Sequence, residues 1–180
     1  MKYLESSPFE KMCNKHFIQR FFNNRITFCP DYSTNHDKGI DCYIEGKAVD
    51  IKYDLPTKEW PEHQFCIEVR QKDGTTWLDH DEDILILHWW FDDRKQIARP
   101  VYYRIGDLRK VLELIKSGEY TKGFHYYKAD TGTIGYYCTE NFLKNWEIPC
   151  GKELSYKDCL EGWYWTTDIW GNHTFLVQDN

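Results

Sequence analysis

Hydrophobic residues that recur every three to four positions predict helices in three parts of this chain. An amphipathic helix is expected over residues 8–23, and a second over residues 107–117. Asp107 is expected to cap the second helix and Gly118 to end it. Residues 139–146 are expected to form a further short helix.

Other segments follow the pattern of strands. Apolar and polar residues alternate over residues 64–70, and nearly continuous apolar residues at 84–90 are typical of a strand covered on both faces. Shorter strands are expected over residues 101–105 and 131–138. Strands that are interspersed with helices predict an α/β (α+β) fold, in which a central mixed β-sheet is flanked by helices.

The sequence GIDCYIEGKAVDIKY reads as a short hairpin with a defined register. A two-residue turn at Glu45–Gly46 would pair Ile44 with Lys47. The same register then places Asp41 directly opposite Asp50. Cross-strand partners share a face of the sheet, and two like charges placed opposite each other destabilise it.

Alternation along the hairpin puts a lysine beside this acidic pair. Lys52 lies two residues after Asp50 and therefore shares its face. The intervening positions are expected to point into a core: Val49, Ile51 and Tyr53. Two carboxylates held together beside a lysine indicate a site for a hard divalent cation. The alternative is an acidic turn neutralised by a surface ion pair.

The spacing D-x8-D-x-K resembles the PD-(D/E)XK nuclease superfamily, in which an acidic residue is followed, after a gap, by (D/E)-x-K on the next strand. Asp50-Ile51-Lys52 matches the second part and Asp41 the first, whereas Ile40 stands where the family pattern has proline. The surrounding segment is similar to small phage and plasmid members over about two-thirds of the chain. It carries G-I-D, I-E-V and G-x-x-W-L at residues 39–41, 67–69 and 74–78.

The resemblance implies one nuclease-like domain over residues 1–180. Its restriction-endonuclease-like core would span about residues 8–120, with a C-terminal extension over about 121–180. The implied activity is metal-dependent hydrolysis of phosphodiester bonds, with DNA as the expected substrate and RNA as the alternative. Many members of the superfamily cut as dimers, so a homodimer is compatible with the resemblance.

Within such a site, Asp41 and Asp50 would hold Mg2+ or Mn2+ through carboxylate oxygens. Lys52 would orient or deprotonate the attacking water and stabilise the developing negative charge. If the strand over residues 64–70 pairs beside the D-x-K strand, Glu68 can join as a third metal ligand and catalytic residue; otherwise it is a solvent-facing glutamate. Some members also place an acid on the first helix, where this chain has Glu10.

Composition changes this interpretation only modestly. The chain has 180 residues, is 41% hydrophobic and 17% aromatic, and carries a net charge of −6, which counts against strong nonspecific binding of nucleic acid. Its seven cysteines lack C-x-x-C spacing, so neither a zinc site nor a disulfide framework is expected. No signal peptide or membrane span is recognisable, and the cytoplasm, that of a bacterial host if the protein is phage-encoded, is the expected compartment.

Two other classes of protein compete with the nuclease. The first is an inactive nuclease-fold binding protein, such as a phage-type inhibitor, although such a protein usually loses the D-x-K set. The second is an aromatic-rich β domain that binds carbohydrate or protein, which the expected helices disfavour. The C-terminal aromatic residues could stack on bases or could pack in the fold: Trp163, Tyr164, Trp165 and Trp170.

Overall fold

The computed structural model describes Phe22 and residues 25–29, 39–52, 64–71, 74–92, 94–150, 153–155, 163–167 and 173–177, the last two segments as backbone. The elements follow one another in this order: β1 (Ile26–Phe28), β2 (Cys42–Ile44), β3 (Lys47–Lys52), β4 (Gln64–Arg70), β5 (Leu85–Asp92), β6 (Ile97–Arg104), α1 (Ile105–Lys116), β7 (Phe124–Lys128), β8 (Ile134–Thr139), α2 (Glu140–Leu143), β9 (Ile148–Pro149), β10 (Leu154–Ser155), β11 (Trp163–Thr167) and β12 (His173–Val177).

The main sheet has the strand order β1-β2-β3-β5-β6-β10, and β9 also pairs with β6. The β3–β5 pair is parallel, whereas the other pairs in this sheet are antiparallel. The chain therefore contains a mixed sheet together with helices, which confirms the predicted α+β class at this level. None of the helices in the described segments is long and apolar enough to cross a membrane.

A second sheet, in the order β4-β8-β7, packs with α1 against one face of the main sheet. Phe65 from β4 contacts Tyr103 from β6, with ring centroids 5.3 Å apart. Leu108 and Val111 from α1 are fully buried in the same core. The opposite face of the main sheet is also covered, since Val49 and Trp89 are buried there.

Most of the predicted elements are present with altered bounds. The strands expected at 84–90, 101–105 and 131–138 are β5, β6 and β8, and the short helix expected at 139–146 is α2 followed by a 3-10 turn. Strands β1, β7 and β9–β12 were not predicted, and β1 lies in a segment, residues 25–38, that the sequence indicated as a loop. The helix expected over residues 8–23, which includes Glu10, lies outside the described residues, apart from the helical Phe22.

Helix α1 confirms one predicted end and corrects the other. Gly118, with a φ of +79°, ends it and donates its N–H to the carbonyl of Ile115 at 3.1 Å. The helix begins earlier than expected, because Arg104 occupies the N-cap position and makes no side-chain capping bond. Asp107 is therefore not the cap but a first-turn acid, where its charge favours the positive end of the helix dipole.

Candidate metal and phosphodiester site

The β2–β3 hairpin has the predicted register. Its turn residues Glu45 and Gly46 have φ values of +52° and +80°, as a type I′ turn requires. Ile44 pairs with Lys47, and the ladder continues to the pair Cys42–Val49. Just beyond the ladder, the Asp41 N–H donates to the carbonyl of Val49 at 2.9 Å. The turn thus places Asp41 next to Asp50 on the neighbouring strand.

The two faces of β3 have the predicted character. Val49 and Ile51 are buried in the core. Asp50 and Lys52 lie on the opposite face, and the Lys52 Nζ is 3.0 Å from the Asp50 Oδ2. Tyr53, the third predicted core residue, lies outside the described residues.

Asp50 is a buried acid next to a second acid. It is only 3% exposed, and burial is the main reason that the pKa of its carboxyl rises to about 7. Lys52 lowers this pKa, whereas the charge of Asp41 and a side-chain hydrogen bond with Asp41 raise it. Burial therefore favours the neutral form of Asp50 near neutral pH, and a bound cation would favour its charged form.

Asp41 is oriented by the backbone of the neighbouring strand. Its Oδ2 accepts a hydrogen bond from the Ile51 N–H at 2.7 Å. This bond fixes the carboxylate against β3, one residue from Asp50. The hairpin therefore holds both acids by main-chain geometry, so that little side-chain freedom would be lost when they bind a ligand together.

Both the ammonium group and the backbone carbonyl of Lys52 make contacts that hold this residue in place. Its Nζ lies 5.7 Å from the centroid of the Trp77 ring, a cation–π contact, and its carbonyl accepts a hydrogen bond from Nδ1 of His88 at 2.9 Å. Burial lowers the pKa of its ammonium, but Asp50 and two further acids, Asp41 and Glu68, raise it by more. The side chain therefore stays positively charged beside the acids.

Strand β4, which carries Glu68, is not a neighbour of β3. The expectation that these two strands pair is wrong, because β3 pairs with β2 and β5 whereas β4 pairs with β8. The Glu68 carboxylate accepts a hydrogen bond from the Gln71 side chain at 2.9 Å. Its charge still acts on Lys52. A ligand role for Glu68 stays a prediction.

Within the described segments, no group of three or more His, Cys, Asp or Glu side chains is arranged to hold a metal ion. The acidic pair therefore supplies two carboxylates, and further ligands would have to be main-chain oxygens, waters or the substrate. This set suits Mg2+ or Mn2+, which bind oxygen ligands and keep several waters.

Two residues near the site were not predicted to belong to it. Trp77 enters the sequence pattern only through the G-x-x-W-L motif, and a single histidine beside an apolar strand, such as His80, does not by itself indicate a site. The structure places the Trp77 ring beside Lys52 and the His80 ring against Gly39. The glycine of the G-I-D motif, two residues before Asp41, was the available signal in the sequence that a side chain packs closely at this point.

No protein-family model, no curated protein and no solved structure matches this chain.

Gly39 is expected to be one of the least replaceable positions in the hairpin. Its φ is +62°, and a Cβ there would lie 1.9 Å from Nδ1 of His80. We expect Gly39→Ala to lower the free energy of unfolding by about 2–4 kcal/mol, from left-handed strain of roughly 1–2 kcal/mol plus the cost of overpacking. Urea unfolding followed by circular dichroism measures this change.

Gly118→Ala is the matched control, since Gly118 also has a positive φ, +79°, but a Cβ there would meet nothing within 4 Å. This variant should lose only the strain contribution. Equal losses in both variants would show that His80 does not pack on Gly39.

Proposed function

We propose that the protein is a metal-dependent nuclease of the PD-(D/E)XK type that hydrolyses phosphodiester bonds, with DNA as the favoured substrate. The observation that carries the proposal is the buried Asp50 carboxyl, which lies beside Asp41 and 3.0 Å from the Lys52 ammonium. Perturbed acids that converge with a lysine are typical of functional sites. Ionisation of Asp50 at this position costs free energy, because burial and the nearby charge of Asp41 oppose it more than Lys52 favours it.

The donor set fits a hard divalent cation. Asp41 and Asp50 would hold Mg2+ or Mn2+, with Glu68 as a proposed third ligand that would have to exchange its bond with Gln71. When bound, the cation polarises the scissile phosphate and lowers the pKa of a coordinated water.

The residues of the chain perform the remaining work. Asp41, oriented by the Ile51 N–H, and Asp50, fixed on β3, would hold the cation. The Lys52 ammonium stabilises the negative charge that develops on the phosphoryl oxygens. Because Lys52 remains charged, its expected role is charge stabilisation rather than removal of a proton.

The parallel β3–β5 pair and the antiparallel hairpin support a restriction-endonuclease-like core, with α1 and the second sheet packed on the face that carries the site. Because the chain carries a net charge of −6, we propose that the substrate is held mainly through the cation rather than through a basic surface. We therefore expect the divalent cation to be needed for binding of nucleic acid as well as for its cleavage.

Incubation with a panel of nucleic acids tests the proposal. Pure protein is mixed with duplex, single-stranded and branched DNA and with RNA, in Mg2+, Mn2+ or EDTA. We expect cleavage of at least one form with a divalent cation and none in EDTA. Asp41→Asn should abolish it, whereas Asp83→Asn, a change at an exposed acid, should not. Failure to cleave any form with either metal would favour an inactive binding protein with the same fold.

A further inference from the structure

The face of the Trp77 ring lies against the lysine of the acidic hairpin. The Lys52 Nζ is 5.7 Å from the centroid of this ring and 3.0 Å from the Asp50 Oδ2. The ammonium therefore has two partners of different kinds, an aromatic face and a carboxylate. The Lys52 side chain is only 32% exposed, and partial shielding from water strengthens a cation–π contact.

The ring is fixed in place by its own packing and by the cap of its turn. Trp77 is only 4% exposed and meets the Phe65 ring edge to face, with the centroids 6.0 Å apart. The Thr76 hydroxyl caps the 3-10 turn that begins at Trp77, since it accepts a hydrogen bond from the Leu78 N–H at 3.3 Å. The same hydroxyl donates to the carbonyl of Glu68 on β4 at 2.6 Å. The ring therefore has little freedom to leave the ammonium.

Helix α1 ties down the same turn through Arg109. Its Nε donates to the Leu78 carbonyl at 2.8 Å, and its Nη2 donates to the His80 carbonyl at 3.0 Å. Charge-assisted bonds to two carbonyls limit the movement of the backbone. The Trp77 ring is thus carried by a segment that is bonded to both β4 and α1.

An aromatic face suits this position because the other partner of Lys52 is also a candidate metal ligand. Once the Asp50 carboxylate serves a divalent cation, its oxygens are shared, and the charge of the metal repels the ammonium. The lysine side chain is a flexible four-carbon stem, so its ammonium could then swing away from the site. The ring attracts the ammonium without supplying a metal ligand, so this attraction does not depend on Asp50.

We propose that Trp77 is a positioning residue, whose ring holds the Lys52 ammonium beside the acidic pair while the two acids bind the cation. The inference rests on the proposed nuclease function, because Trp77 acts only through the charge that Lys52 contributes. Loss of the cation–π contact should therefore lower kcat and leave KM little changed.

Tryptophans with one to four ring fluorines, incorporated at position 77 alone, test the proposal. Fluorine withdraws electron density from the ring face with little change of shape, so each added fluorine should weaken the cation–π contact. We expect log kcat for cleavage of nucleic acid to fall steadily along the series, by about 5–30-fold in all, with KM and Tm little changed. The matched control is the same series at Trp89, which is buried on the opposite face of the main sheet and should leave kcat unchanged.

A double-mutant cycle in EDTA gives a readout that needs neither metal nor cleavage. The stabilities of Trp77→Leu, Lys52→Ala and the double variant are measured by urea unfolding. Because the two residues interact, the double variant should lose less stability than the sum of the two single losses. Trp77→Leu combined with Lys110→Ala is the control and should be additive, since Lys110 lies on the exposed surface of α1 and pairs with Asp107.

The possible failures are distinguishable. Wild-type protein that cleaves no nucleic acid overturns the proposed function and this inference together. If the wild type is active, a kcat that stays flat along the fluorinated series at position 77, or stability losses of Trp77→Leu and Lys52→Ala that add fully, overturns the inference alone. A fall in kcat that is matched by the series at Trp89, or by a parallel fall in Tm, assigns Trp77 a purely structural role and also overturns it.

Discussion

Asp50→Ala and Lys52→Ala are both expected to lose cleavage, but with opposite effects on metal binding. The first variant lacks a carboxylate ligand, so its calorimetric affinity for Mn2+ should fall together with cleavage. The second lacks a positive charge that lies 3.0 Å from the Asp50 carboxylate. Its Mn2+ binding should survive or tighten, while cleavage falls by about 10²–10³-fold, as when one group that stabilises developing charge is removed.

Lys110→Ala serves as the control, because Lys110 also pairs with an aspartate, Asp107 at 3.5 Å, but lies on the exposed surface of α1. It should bind Mn2+ and cleave like wild type. Equal cleavage by wild type and Lys52→Ala would mean that the activity belongs to another site or to a contaminating nuclease.

In the absence of divalent cations, the protein is expected to lose stability as the pH rises from about 5 to 8. The pKa of Asp50 is about 7 in the folded state, against an ordinary value of 3.8, so the folded state binds more protons across this range. Stability then falls with rising pH. Because a tenfold change in proton affinity corresponds to about 1.4 kcal/mol, the Asp50 contribution over this range is on the order of 3 kcal/mol. Urea unfolding at several pH values measures it.

Asp50→Asn should remove most of this pH dependence, and above about pH 7 it should be more stable than wild type. The control is Asp92→Asn, for which the opposite sign is expected. A hydrogen bond from the Lys95 backbone is the main cause that lowers the pKa of Asp92, so loss of its charge should destabilise at neutral pH. A wild-type stability that is flat with pH, or an Asp50→Asn variant that is less stable at pH 8, would contradict the buried acidic pair.

The geometry of the acidic hairpin could be predicted because it is local. A two-residue turn at Glu45–Gly46 fixes the register, and the period of two fixes the faces. These two rules, applied to residues 41–52, place Asp41, Asp50 and Lys52 together without reference to the rest of the chain.

The position of Glu68 could not be predicted from the same rules. Alternation correctly assigned Phe65 and Ile67 to the core. The choice of partner strand, however, depends on contacts between distant parts of the sequence, since β4 pairs with β8 about 70 residues later. Alternation says which face of a strand is buried but not which strand lies beside it.

The same limit applies to the turn that carries Trp77 and His80. Its position is set by hydrogen bonds from Arg109, roughly 30 residues away on α1, and by the Lys52 ammonium that lies beside Trp77. A lone histidine near an apolar strand carries no local sign of such packing. In the sequence, only the glycine at position 39, against which the His80 ring packs, indicated that a side chain lies close to this point.

Calorimetric titration of wild-type protein with Mn2+ addresses the acidic pair directly. At about pH 6.5, titrations in two buffers of different ionisation enthalpy should reveal binding accompanied by release of a proton, because Asp50, with a pKa of about 7, must ionise to act as a ligand. At about pH 8.5 the released proton should largely disappear, and Asp50→Asn should bind weakly without proton release at either pH. Absence of Mn2+ binding by wild type, or binding with unchanged affinity and proton release by Asp50→Asn, would contradict a cation site at Asp41 and Asp50.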